Sequence, residues 1–463
     1  MDHGLRQFGE DGRQWFAYGG DFGEEPHDGN FCVDGLLTPD RQEKSGIVEY
    51  KKILEPAKVI DVDISKGKIK IKNMLDFISL SFLRCSYSLM ENGKAVEQGE
   101  LENLDIKPKE EGNFSLLLNY NMKPDKEYFI NFSFAQKYST LWSKTGFIVC
   151  RSQLPVKKAE TSGDTVCINE FISVDDKDHS IEILGENFSV TFDKFKGKLE
   201  KYTFNGVSLL EEGLEENFYR APTDNDGCRP GRQKDEWRKE GLDRLSKRIK
   251  NVEVVKISSN EVKISVEGRF SAKAIKPVFD TAVVYTVNSW GEIEVKTEFT
   301  PLRDISFIPK MGMKFAMSNQ FEYISWYGRG PHQNYSDMKE SALVGLYNTT
   351  VSEDYVDYIY PQEYGNKCDV RWAEITNITD IGIKITGNPT INFSAHPYSL
   401  DNLANAEHTT DLEKSDKTHI YVDYKQCGLG SNSCGPLPME KYRLYPEKAS
   451  YSFTIKPFIK WGS

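Results

Sequence analysis

From Val59 to the C-terminus, apolar residues recur at every second position in short runs, and this period of two most constrains the fold. Lys68-Ile69-Lys70-Ile71-Lys72, Ser86-Tyr87-Ser88-Leu89-Met90 and Tyr128-Phe129-Ile130-Asn131-Phe132-Ser133-Phe134 all show it. So do Ser189–Phe192, Glu261–Val266, Ala282–Val287 and Glu292–Thr297 further on. Such runs bury one face of a pleated strand and cannot form the apolar stripe of a helix. Phe77–Phe82 and Gly146–Cys150 read as further strands, and Glu91-Asn92-Gly93-Lys94 as a hairpin turn. The chain is therefore mainly β. Residues 57–152, with several short strands and turn signals, suggest an immunoglobulin-like sandwich. Residues 153–178 are polar and read as a linker, and 179–463 as a large antiparallel sandwich.

The first 56 residues follow another pattern. Thr38-Pro39 reads as a helix start, Ile47, Tyr50, Ile53 and Leu54 recur at helical spacing, and Pro56 ends the run. Upstream lie Tyr18-Gly19-Gly20-Asp21-Phe22-Gly23 and Asn30-Phe31-Cys32-Val33-Asp34-Gly35-Leu36. Their glycines permit tight turns. Their clustered carboxylates suit hard cations or sugar hydroxyls. From the residues alone, the stretch is either a binding loop or a surface loop rich in turn formers.

At 463 residues, two or three domains are expected. The net charge of −11 argues against nucleic acid, and the basic stretch Lys234–Lys250 reads as a solvated helical face. No apolar run reaches the roughly 18–20 residues of a membrane helix. The eight cysteines occur singly, without a C-x-x-C pair, which favours reduced thiols and a cytoplasmic setting. Asp224-Asn225-Asp226-Gly227 opens like a calcium loop but lacks the later bidentate Glu.

Four landmarks carry a resemblance. Trp15–Gly23 with Phe31–Leu36, Arg220–Asp226, Trp326–Tyr335 and Gly428–Pro436 follow one another as in the large β-galactosidases of glycoside hydrolase family 2. The resemblance implies that residues 1–56 end a catalytic (β/α)8 barrel. It further implies that 57–152 are the immunoglobulin-like domain and 179–463 a galactose-mutarotase-like β-supersandwich. The chain would then be the C-terminal part of a longer enzyme that acts on a galactoside substrate. Both catalytic glutamates would lie upstream, so no catalytic residue is assigned here and the part alone is expected to be inactive. Its expected partners are the N-terminal half and further copies in a homo-oligomer.

The resemblance also implies site roles. Phe31, through its carbonyl, and Asp34, through its carboxylate, match a monovalent-cation site (Na⁺ or K⁺) that touches the substrate. His27 stands where an asparagine lies near a Mg²⁺ site, although imidazole prefers softer metals. Asp224, Asn225, Asp226 and Gly227 match a mobile loop beside the active site. Cys434 replaces a tryptophan platform for the sugar. Gln333 and Tyr364 stand where Glu and Asn are usual. Trp326 and Tyr327 read as buried packing, and His396 and His408 as core or surface histidines without an identified partner. Other readings are a complementing subunit or carbohydrate-binding module, and a mutarotase-like enzyme, which would need a facing His–carboxylate pair.

Overall fold

The computed structural model describes residues 1–159, 171–227 and 232–460, which form two units. The smaller contains residues 45–166 together with 339–346. Its strands form a three-stranded sheet (Ala57–Asp63, Lys68–Asn73, Glu111–Ser115) and a four-stranded one (Lys94–Leu101, Leu83–Glu91, Tyr128–Gln136, Ile148–Lys157). Ile69 and Ile71 from the first and Leu83, Cys85, Ile130, Phe132 and Phe134 from the second share one core. The alternation in Lys68–Asn73 sends its isoleucines inward and its lysines outward. Phe77–Phe82 is not a strand. Ser79 accepts a hydrogen bond from the N–H of Ser81, a 3₁₀ turn forms over Leu80–Phe82, and Phe77 is exposed.

The helix is shorter than its sequence pattern, running from Ser45 to Ile53. The Thr38 hydroxyl accepts from the N–H of Gln42 at 2.8 Å, closing a turn in which Arg41 has φ +69°. That left-handed residue prevents a helix from starting at Thr38. The compact units divide at residue 44, and the helix packs within the smaller one. Within that unit, Lys52 Nζ donates to the Arg151 carbonyl at 2.7 Å. Two side chains hold the segment 339–346. Glu49 accepts the N–H groups of Glu340 and Ser341 at 3.0 and 2.9 Å. Gln153 both donates to and accepts from the Val344 backbone, each at 2.8 Å, as a strand neighbour would.

The expected linker 153–178 is narrower in the structure. The strand Ile148–Lys157 runs into it and Ser173–Asp176 is again a strand, while 160–170 lie outside the described residues.

The larger unit contains a five-stranded and a twelve-stranded antiparallel sheet. Strand Phe279–Asn288 alternates without a break, burying Phe279, Val283, Tyr285 and Val287. These residues join Ile181, Val190, Phe192 and Phe453 in one core. The basic stretch divides into the helix Gln233–Lys239 and a strand beginning at Ser246. No helix among the described residues is long and apolar enough to cross a membrane.

Candidate functional site

The N-terminal stretch belongs to the large unit and is shaped by its own turn chemistry. Strands Leu5–Phe8 and Gln14–Ala17 form a hairpin that delivers Trp15 and Tyr18. Gly20 has φ +100°, and a Cβ there would lie 2.7 Å from the His27 ring, so only glycine fits. Glu24 accepts the N–H groups of Gly20 and Phe22, and Asp21 accepts that of Tyr18. The loop's carboxylates therefore serve first to shape its backbone.

His408 completes this arrangement. Its ring stacks on Tyr18 (centroids 4.7 Å, planes 12° apart) and meets Trp15 edge-on at 4.7 Å. Its Nε2 lies 3.0 Å from the Asp21 carboxylate. The Tyr18 hydroxyl donates to the Glu407 carbonyl at 2.6 Å, and burial raises its pKa. The sequence left His408 without a partner, because 387 residues separate it from Asp21. His396 is buried, with Nε2 3.1 Å from Ser394 Oγ but Nδ1 without a hydrogen bond, so it is a core histidine only half satisfied.

One chain of contacts joins the loops that the sequence singles out. Asn30 donates to Asp224 at 2.6 Å, and Gln362 donates to the other oxygen of the same carboxylate at 3.0 Å. Burial raises the pKa of Asp224 against these donors. Asn225 donates to the Gly430 carbonyl at 2.8 Å and accepts from the Ser433 hydroxyl at 3.0 Å, beside the exposed Cys434. Asp224–Gly227 is a single helical turn, and Asp226 is buried beneath it. Cys228 to Gly231 of that loop lie outside the described residues.

Arg220 anchors the turn from below. It is wholly buried, and all five of its N–H groups meet acceptors. Nε and Nη2 grip Asp226 at 3.0 and 2.8 Å, Nη1 donates to Gln426 and the Cys427 carbonyl, and Nη2 also donates to the Gly428 carbonyl. Asp337 holds the next residues, accepting the N–H groups of Leu429 and Gly430 at 2.9 and 2.8 Å. Apart from the Arg220–Asp226 pair, six residues apart, these contacts link residues far apart in the chain and leave no trace in local spacing.

Behind Arg220, Gln426 donates to Glu363, whose Oε1 also accepts from the buried Lys310. Lys310 pairs with Asp423 at 3.2 Å and lies over the Tyr421 ring. Burial raises the Asp423 carboxyl to about 7 against the pull of Lys310. Trp326 and Tyr327 are buried as packing residues. Gln333 accepts the Gly365 N–H and donates to the Tyr358 hydroxyl, and Tyr364 is buried edge-on to His396.

Phe31 lies in the 3₁₀ turn Gly29–Val33, which Asp34 ends. Residues three apart in such a turn share one edge. The Asp34 carboxylate is exposed and takes no hydrogen bond among the described residues. An all-oxygen pair fits a hard monovalent cation. His27 does not fit Mg²⁺. Its Nδ1 already accepts the Gly29 N–H at 3.1 Å, and imidazole nitrogen suits metals softer than Mg²⁺. No group of three His, Cys, Asp or Glu that could hold a metal occurs among the described residues.

Comparison with known proteins places these loops in a wider setting. The family described as "Beta galactosidase small chain" matches residues 184–455, "Beta-galactosidase, domain 4" matches 69–157, and "Glycosyl hydrolases family 2, TIM barrel domain" matches 1–59. A β-galactosidase of Priestia megaterium is 34% identical over 98% of this chain and 44% of its own length. One from Actinobacillus pleuropneumoniae is 28% identical over 95% of this chain and 42% of its own. The chain thus spans less than half the length of these relatives. A galactose 1-epimerase from Lactobacillus acidophilus superposes with a TM-score of 0.36 at 9% identity, covering 64% of this chain and 100% of its own, a likeness too weak to argue from.

Proposed function

Because the chain belongs to the β-galactosidase small-chain family, we propose that it forms the C-terminal part of a retaining β-galactosidase. The complete enzyme would hydrolyse terminal β-D-galactosides such as lactose. The observation that carries this reading is the Asn30–Asp224 and Asn225–Ser433 linkage, which holds three separate landmarks of the family as one set of loops.

Retaining hydrolysis needs two carboxyl groups about 5–5.5 Å apart, one as nucleophile and one as acid/base. In this reading both come from residues upstream of this chain, and the chain supplies positioning. A bound Na⁺ or K⁺ would be held by the Phe31 carbonyl and Asp34 and would supply positive charge for orienting a substrate hydroxyl. Asn30 fixes Asp224 beside that turn, and Asn225 sets the loop that carries Cys434. A thiol presents no flat face to a sugar, so Cys434 leaves room for a wider leaving group than a tryptophan would.

The reading rests on a complementation test. The purified chain is assayed with o-nitrophenyl β-galactoside, alone and mixed with the N-terminal half of a relative. Activity only in the mixture is expected. Turnover by the chain alone that survives repurification would overturn the reading and require a nucleophile among its own carboxylates.

A further inference from the structure

Asp34, with its exposed carboxylate, sits between two backbone groups that are gripped from either side. The Val33 carbonyl accepts from Lys44 Nζ at 3.1 Å, and the Gly35 N–H donates to Asp2 Oδ1 at 2.7 Å. The two holders also bind each other. Lys44 Nζ lies 2.5 Å from Asp2 Oδ2, with the Asp2 side chain wholly buried and that of Lys44 only 15% exposed. Just upstream, the Cys32 carbonyl accepts the His3 N–H at 2.9 Å, and Asn30 donates to Asp224.

Lys44 reaches this place because the chain doubles back after Asp34. The Thr38–Gln42 turn closes a bridge between Leu37 and Glu43, and the Lys44 N–H then donates to the Leu36 carbonyl at 3.2 Å. The Asp2 N–H donates to the Leu37 carbonyl at 2.8 Å, so both members of the pair are themselves fixed. The approach at Gly35 is so close that a Cβ there would lie 2.5 Å from the Met1 backbone. Burying an ion pair costs desolvation that apolar residues of similar volume avoid, so stability alone does not account for it. The pair does fix the peptide groups on both sides of Asp34. Asp2 also cancels a lysine charge that would otherwise repel a cation at the turn.

We propose that the Asp2–Lys44 pair is a positioning element for a monovalent cation, holding the turn so that Asp34 and the Phe31 carbonyl are set before the ion arrives. This inference rests on the cation reading given under the proposed function. Two protein oxygens grip a single charge weakly, so affinity depends on how little ordering they require.

The whole chain is titrated with NaCl at constant ionic strength, using choline chloride, and binding is read from ²³Na line broadening with K⁺ as competitor. Saturable binding that Asp34→Ala abolishes is expected. The double variant Asp2→Val with Lys44→Met leaves the net charge unchanged, so lost affinity reports position and not field. It should bind roughly tenfold more weakly, as when a partner that orients a metal ligand is removed. Core strands should keep their hydrogen-exchange protection, because apolar replacement of a buried pair is often neutral to stability. Lys44→Arg, which can still reach both Asp2 and the Val33 carbonyl, should retain binding. If the double variant does not fold, Asp2→Asn decides: it keeps the Gly35 contact but leaves the Lys44 charge uncompensated, and should also weaken binding. Wild-type affinity in the double variant, or in Asp2→Asn where that decides, or equal loss in Lys44→Arg, would overturn the positioning role and leave the cation reading standing. No saturable Na⁺ binding, or binding unchanged in Asp34→Ala, would overturn both.

Discussion

Arg220 has no water to fall back on, since its guanidinium is fully buried and its five donors are all used. Removing it leaves Asp226 as an unpaired buried charge, at a cost of about 3–5 kcal/mol. Arg220→Met is expected to lower stability by that amount in urea denaturation. Arg220→Lys should recover little, because an ammonium cannot reproduce the planar grip on Asp226. Asp423 and His396 make a second residue-scale prediction through opposite signs. The folded Asp423 carboxyl titrates near 7, above its ordinary range because of burial, so it retains a proton that the unfolded chain has released. Its contribution is full below about pH 4 and is lost as pH rises towards 7. Burial holds His396 well below its usual value, so its contribution is full above about pH 6.5 and is lost as pH falls. The two slopes oppose each other between about pH 4 and 6.5. Asp423→Asn should therefore make stability fall more steeply towards acid, and His396→Gln less steeply, in denaturation midpoints measured across that window. Equal profiles for both variants would refute this assignment.

At the scale of elements, the turn 428–430 depends on Asp337. Asp337→Ala frees two backbone N–H groups, and the amides of Leu429 and Gly430 should lose hydrogen-exchange protection while the core strands keep theirs. The strands themselves were the most legible part of the sequence. Phe279–Asn288 and Lys68–Asn73 announce themselves because one face is apolar at every second residue. What was not legible depends on local competition or distant partners. The Thr38 hydroxyl closes a turn instead of capping a helix, and the Ser79 hydroxyl does the same where a strand was expected. The motif residues 30, 224, 225 and 433 could be picked out singly, yet their mutual hydrogen bonds link positions about two hundred apart. Spacing along the chain carries no trace of such contacts.

At the scale of the whole molecule, the unit boundary yields a truncation test. Removing residues 1–44 should leave the smaller unit with its helix and its grip through Lys52 on Arg151. Removing 1–56 takes away both that contact and Glu49, which holds Glu340 and Ser341. The longer truncation is therefore expected to lower the thermal midpoint of the smaller unit by several degrees relative to the shorter one. Equal midpoints would show that the helix contributes nothing to that unit.

The clamp of Gln153 on Val344 reaches beyond stability. Eight residues of the smaller unit, 339–346, are encoded well after the rest of it, which ends at residue 166. A crossover between two relatives placed anywhere between the main body of that unit and this distant piece yields a chimera in which the clamp and its target come from different parents. Recombination is then constrained to exchange both segments together or neither, and the two units should share one line of descent.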